Sequence, residues 1–128
     1  MFVKFEWDSW VLRCLLTSNF LLGSHEWVEE HDQALILTPG KTFYVYVEDG
    51  KLFSLFSIKG KSFGDAHTVK EERGSGNMDA LLSHFESELN PGTHATTRNQ
   101  SMAYLLEKHG FKKTGQRGRF AYMVKETG

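Results

Sequence analysis

The stretch VKEERGSGNMDALLSHFESEL, Val69 to Leu89, changes character part-way: a run of charges gives way to a glycine-containing turn, and the turn to helical spacing. Met78, Leu81, Leu82, Phe85 and Leu89 fall at i, i+3, i+4, i+7 and i+11, which predicts one apolar helix face, and Asn90-Pro91-Gly92 stops it. A helix that starts behind a glycine turn leaves its first N–H groups without intrahelical partners. Its dipole adds about half a positive charge there, and glycine lets a ligand approach the main chain, so a phosphate or diphosphate is a natural occupant. The same residues also fit a tight left-handed turn at Gly74 and Gly76, with Ser75 or Asn77 capping the helix. Two familiar phosphate motifs are absent. There is no G-x-x-x-x-G-K-[ST], and Asp79 stands where G-x-G-x-x-G has its last glycine, which disfavours nucleoside triphosphate hydrolysis and dinucleotide binding.

Upstream the period is two. Phe43, Val45 and Val47 alternate with Tyr44, Tyr46 and Glu48, Asp49-Gly50 marks a two-residue hairpin turn, and Leu52 to Ile58 returns. A turn at Lys59-Gly60-Lys61 leads to Ser62 to Val69, which completes an antiparallel meander. Nearer the start, Phe2 to Trp7 reads as a short strand. Asp8 or Ser9 caps a helix whose expected apolar face is Trp10, Val11, Cys14, Leu15, Phe20, Leu21 and Leu22, stopped by Gly23. His25 to Asp32 is an acidic short helix or loop, and the apolar Ala34 to Leu37 ends at Pro39-Gly40. Downstream, Thr93 to Thr97 predicts a strand. Asn99 caps a helix with Met102, Leu105 and Leu106 that ends at Gly110, and Phe111 to Gly115 and Arg119 to Lys125 predict two more strands.

A length of 128 residues predicts a single domain over residues 1–128, and 40% apolar with 24% charged residues is ordinary globular composition. The net charge of −1 supplies no field for a polyanion, so nucleic acid is not an expected partner despite Lys112, Lys113, Arg117 and Arg119. The single Cys14 allows no intramolecular disulfide and is expected in the core of a protein from a reducing compartment. No basic head precedes an apolar run at the N-terminus, and nowhere do about 18 apolar residues follow one another, so a soluble, cytoplasmic chain without a membrane partner is expected. None of the six histidines pairs at H-x-x-x-H spacing, and no metal is expected.

The order of elements and two motifs together resemble the GNAT superfamily of N-acetyltransferases, over about Thr42 to Lys125. The family's R-G-x-G-x-G-x-A-L-L corresponds to Arg73-Gly74-Ser75-Gly76-Asn77-Met78-Asp79-Ala80-Leu81-Leu82, broken only at Met78. Its N-x-x-A-x-x-L-Y-x-x-x-G-F corresponds to Asn99-Gln100-Ser101-Met102-Ala103-Tyr104-Leu105-Leu106-Glu107-Lys108-His109-Gly110-Phe111.

The resemblance implies an α+β (mixed α/β) fold with a central, mostly antiparallel twisted sheet of about six to seven strands and helices on both faces. It implies an acyl-coenzyme A-dependent N-acyltransferase, moving an acetyl group from acetyl-coenzyme A to an amine-bearing small molecule or protein, and leaves an oligomer open. The amides from Arg73 through Gly74, Ser75, Gly76 and Asn77 to Met78 would grip the diphosphate. The pantetheine arm would lie along Thr68, Val69 and Lys70 where that strand splays from Thr93 to Thr97, with Asn99 touching it from the other side. The family's thiolate-protonating tyrosine corresponds to Leu106, and Tyr104 sits about 200° away around the helix. His67 is the titratable group nearest the expected thioester and the candidate general base, with Glu48, Glu71 and Glu72 as other candidates. Trp27, Glu29, Glu30 and His31 are candidates to line the acceptor pocket, or else form a solvated helix face. Met78 is expected to crowd the phosphates. Leu106 and Met78 also fit a second reading: a GNAT-like structural or binding protein with weak or no chemistry, such as a phage virion-associated protein, which would place it in host cytoplasm or virion.

Overall fold

The computed structural model describes residues 1–126, and its centre is a seven-stranded sheet in the order β1-β2-β3-β4-β5-β7-β6. The strands are β1 (Phe2–Glu6), β2 (Lys41–Glu48), β3 (Lys51–Lys59), β4 (Ser62–Thr68), β5 (His94–Thr97), β6 (Phe111–Arg117) and β7 (Phe120–Lys125). All neighbours pair antiparallel except β4 and β5. The β2–β3 hairpin closes at Asp49 and Gly50 with φ of 49° and 76°, the left-handed pair a two-residue turn demands.

Helices cover both faces. Helices α1 (Trp10–Ser18) and α2 (His25–His31) pack on one, where Leu12, Leu16, Leu21, Trp27 and Leu35 meet Phe43, Val45, Val47, Leu52 and Leu55. Helices α3 (Asn77–His84) and α4 (Gln100–Lys108) pack on the other, where Met78, Leu81, Leu82 and Leu106 meet Tyr44, Phe56, Phe63, Ala95 and Met123. The alternating pattern of β2 sends Phe43 and Val45 to the first core and Tyr44 to the second, as a period of two requires. Among the described residues, no helix is long and apolar enough to cross a membrane.

Three expectations are corrected. Helix α1 turns Leu12 and Leu16 inward, both 0% exposed, while Trp10 and Val11 face outward and Cys14 is an exposed thiol. Apolar residues run nearly all round this helix, so periodicity could not choose its face. Asn19 chooses it: its Nδ2 donates to the carbonyls of Leu15 and Gly50, and its Oδ1 accepts from the Leu52 N–H, tying the helix end to the start of β3. The chain leaves α1 through Phe20 at φ 59°, which swings that ring into solvent. Helix α3 is also shorter than its apolar spacing predicted; it ends at His84, and a 3₁₀ turn, Glu86–Glu88, brings Leu89 back to the core. Last, β6 runs past the expected end at Gly115 to Arg117, and Gln116 and Arg117 pair with Ala121 and Phe120.

The α3 layer is fastened by a polar clamp around the buried His109. His109, which caps α4, faces Asp79 Oδ1 through Nε2 at 2.6 Å and Glu86 Oε2 through Nδ1 at 2.7 Å. Lys125 from β7 donates to the His109 carbonyl and pairs with Glu86. Hydrogen bonds from Lys108 and then His109 hold the Asp79 carboxyl below the usual range.

Candidate cofactor cleft

Parallel strands β4 and β5 pair in register only where they start. Ser62 stands opposite His94, the His94 N–H donates to the Lys61 carbonyl at 2.7 Å, and no further pair follows. Beyond that contact the strands splay, and a cleft of about 1670 Å³ opens between them, reaching from the end of α2 to the start of α3 and α4. A bulge in β4 shapes its floor. Asp65 sits at φ 56°, and its Oδ2 accepts from Ser57 Oγ at 2.6 Å and Lys41 Nζ at 2.9 Å. Sequence reasoning missed this group, although Gly64-Asp65, turn residues inside an alternating strand, was the signal for a bulge.

Val69 donates its N–H to Phe53 on β3, so Thr68, one residue earlier and opposite Ser54, turns its N–H and carbonyl toward the cleft. The Thr68 carbonyl accepts from Arg73 Nε at 2.8 Å, and the same guanidinium pairs with Glu30 at 2.7 Å. Arg98, from the β5 side, donates to the Glu30 carbonyl and pairs with Asp32. Two arginines thus tie the end of α2 across the cleft.

Helix α3 begins at Gly76 with φ 76°, preceded by Gly74 at φ 85°. Among the described residues no side chain caps it: Asn77 turns its Nδ2 back to the Glu72 carbonyl instead, and the amides from Gly74 to Asp79 meet no protein acceptor. A Cβ placed on Gly74 or Gly76 would meet nothing within 4 Å, so the turn faces open space. Met78 is 7% exposed and joins the second core, so its side chain does not crowd the amides as expected.

Of the residues named from sequence, His67, Thr68, Arg73, Gly74, Gly76, Asn77, Met78 and Asn99 line this one cleft. Val69 packs toward the α1 core, and Lys70 and Ser75 are exposed beside the lining. Asn99 caps α4, its Oδ1 accepting from the Met102 N–H at 3.0 Å. Glu72 reaches the cleft while pairing with Lys51, whereas Glu48 pairs with the N-terminus and Glu71 lies exposed outside the lining.

His67 is 8% exposed, and burial, reinforced by the neighbouring His31, lowers its pKa to about 4. It is therefore neutral at neutral pH. Its Nδ1 faces His31 Nε2 at 3.0 Å, and Trp27 flanks both rings, stacked on His31 at 4.1 Å and tilted to His67 at 4.6 Å. Burial also lowers the pKa of His31. Glu30 completes the group: one ligand atom each from Glu30, His31 and His67 lie within 4.8 Å of one another. Local spacing hid this assembly because α2 and β4 supply it from far apart in sequence.

No family model and no curated protein matches the sequence. Solved structures do match. An acyl-CoA N-acyltransferase from Pseudomonas aeruginosa superposes with a TM-score of 0.73 at 14% identity, covering 98% of each chain. An acetyltransferase of the GNAT family from Streptococcus pneumoniae gives 0.63 at 14% identity, covering 100% of this chain and 99% of that one. The chain has the GNAT fold. A Bacillus anthracis protein solved in complex with acetyl coenzyme A gives 0.60 at 16% identity, covering 76% of this chain and 71% of that one. Against the GNAT pattern, the tyrosine position holds Leu106, 0% exposed and packed in the second core, while Tyr104 is 70% exposed on another face of α4. No hydroxyl can be supplied from the usual place.

Proposed function

We propose that the chain is an acyl-coenzyme A-dependent N-acyltransferase that carries an acetyl group from acetyl-coenzyme A to an amine. The observation that carries this is the start of α3: amides without protein acceptors, glycines at positive φ and a clear approach, at one end of a cleft between splayed strands of a GNAT fold. An anion is what such a helix start accepts. In this reading the amides from Gly74 to Met78 hold the diphosphate, with Gly76 its closest approach, while the Arg73 N–H is already given to the Lys70 carbonyl. The pantetheine arm runs past the turned-out main chain of Thr68 toward Asn99; the strand ends there, and past Val69 the chain enters a 3₁₀ turn, Lys70–Glu72, so Lys70 offers no strand edge.

The amine nitrogen attacks the thioester carbonyl, the C–S bond breaks, and coenzyme A leaves as its thiolate. With a pKa near 4, His67 does not deprotonate a free alkylammonium; it takes the proton from the far more acidic ammonium of the tetrahedral addition intermediate. The amine arrives neutral. Water protonates the thiolate in place of the missing tyrosine, and because a thiol ionises near pH 8.5 its anion leaves without full protonation. Loss of the acid therefore slows transfer without stopping it, and positioning supplies most of the acceleration. Glu30, His31 and Asp32 form the acceptor's side of the cleft.

The test is thermal unfolding with and without acetyl-coenzyme A, followed by thiol release in the presence of amines. Ligand at about 100 times its dissociation constant adds roughly 2.7 kcal/mol to stability. No shift refutes the cofactor site. A shift without thiol release for any amine supports instead a binding protein on the same fold, the reading that buried Leu106 favours.

A further inference from the structure

At the acceptor end of the cleft His67, the base of the reading above, stands beside two further donors, Glu30 and His31, and an ion held by all three would take the lone pair that His67 otherwise offers as a base. We propose that Glu30, His31 and His67 form a binding site for one divalent transition-metal ion of the zinc class, with a coordination position open to the cleft. Two imidazole nitrogens and a carboxylate oxygen, all within 4.8 Å of one another, make the donor set of a three-ligand zinc centre. Such a set suits zinc, cobalt, nickel or copper, whereas magnesium and calcium prefer oxygen ligands throughout.

The spacing fits. Zinc–nitrogen bonds of about 2.0–2.1 Å at a tetrahedral angle put two ligand nitrogens roughly 3.3–3.4 Å apart. His31 Nε2 and His67 Nδ1 stand 3.0 Å apart, so the rings need to part by only a few tenths of an ångström. They are held for it. His67 is fixed on β4 at 8% exposure, and Trp27 packs against both rings. In the ion-free pair one nitrogen donates its proton to the other. Ligation by both moves that proton to the outer nitrogen of the same ring, a change of tautomer that releases no net proton. Glu30 gives Oε1 to Arg73, and its second oxygen is left for the ion, whose charge it partly neutralises. Three ligands from the protein leave a fourth place, and the cleft onto which all three residues open supplies water or an acceptor group to fill it.

The experiment titrates the chelator-treated full chain with zinc by calorimetry and with cobalt by visible absorption. The expected result is one equivalent of zinc and the intense cobalt bands of a four-coordinate site. His31→Ala deletes a ligand from a half-buried position and should weaken binding by more than about 100-fold, above the 10–100-fold typical of an outer-shell partner. Glu30→Gln should weaken it at least about tenfold. His25→Ala, which removes the exposed His25–Glu29 pair, should bind as the parent does. Unfolding midpoints confirm that each variant is folded, and retention by His31→Ala of the acetyl-coenzyme A thermal shift keeps this outcome separate from that of the cofactor reading. Absence of one-to-one binding, parent-like binding by His31→Ala and Glu30→Gln, or loss confined to His25→Ala would each overturn the assignment.

Discussion

Gly76→Gln separates the proposed diphosphate site from the fold that carries it. Nothing lies within 4 Å of where the new Cβ would stand, so the fold pays only for a side chain held at φ 76°, about 1–2 kcal/mol. For a chain of 128 residues, 1 kcal/mol moves the unfolding midpoint by about 3–5 °C, so the variant should melt roughly 3–10 °C lower. The parent with acetyl-coenzyme A at about 100 times its dissociation constant gains roughly 2.7 kcal/mol, a rise of about 8–13 °C. In the variant the glutamine reaches over the amides that meet no protein acceptor and competes for them. A 100-fold weaker complex at the same ligand concentration retains only about 0.4 kcal/mol, or 1–2 °C. Scanning calorimetry with and without acetyl-coenzyme A reads both effects, and Gly76→Ala controls for strain because it shares the φ without the reach. A variant that melts lower yet keeps the full rise would refute the reasoning, because the ligand would then be binding elsewhere.

Other consequences are as concrete. The His67 pKa lies at about 4 in the fold against 6.5 for the free side chain, so its contribution is complete above about pH 6.5 and lost as pH falls toward 4. That difference is worth roughly 3 kcal/mol in all and about 2 kcal/mol between pH 7.5 and 5, which urea unfolding of the metal-free protein should show and His67→Gln should flatten. Leu12→Ala should cost about 2–5 kcal/mol and Trp10→Ala little, within about 0.5 kcal/mol; the opposite order in denaturant titrations would reverse the assigned face of α1. His109→Ala removes the bridge between Asp79 and Glu86 and should cost more than about 2 kcal/mol of unfolding free energy, with no change in acetyl-coenzyme A affinity.

What could be read from the sequence follows from how local each cause is. The β2–β3 hairpin was legible because Asp49-Gly50 carries its own turn geometry, and α3 because glycines precede a one-sided apolar pattern. The face of α1 was not, since it depends on Asn19 reaching the start of β3. The glycine turn and the helix behind it were visible in the sequence, but the fate of the Met78 side chain was decided by the packing of the second core. The histidine and carboxylate group at the acceptor end had no local signature, because His31 and His67 become neighbours only when α2 folds over β4.

The single registered pair between β4 and β5 leaves the sheet with a seam. On one side β1 to β4 form a meander; on the other β5, β7 and β6 form a second block. The α1 core lies wholly within the first block, while the α3 and α4 core draws on both, through Phe56 and Phe63 on one side and Ala95 and Met123 on the other. Under tension the blocks would part along this line first. A strand-like ligand lying in the gap would bridge them, so amide exchange in β5 and β7 should slow on occupancy far more than in β2.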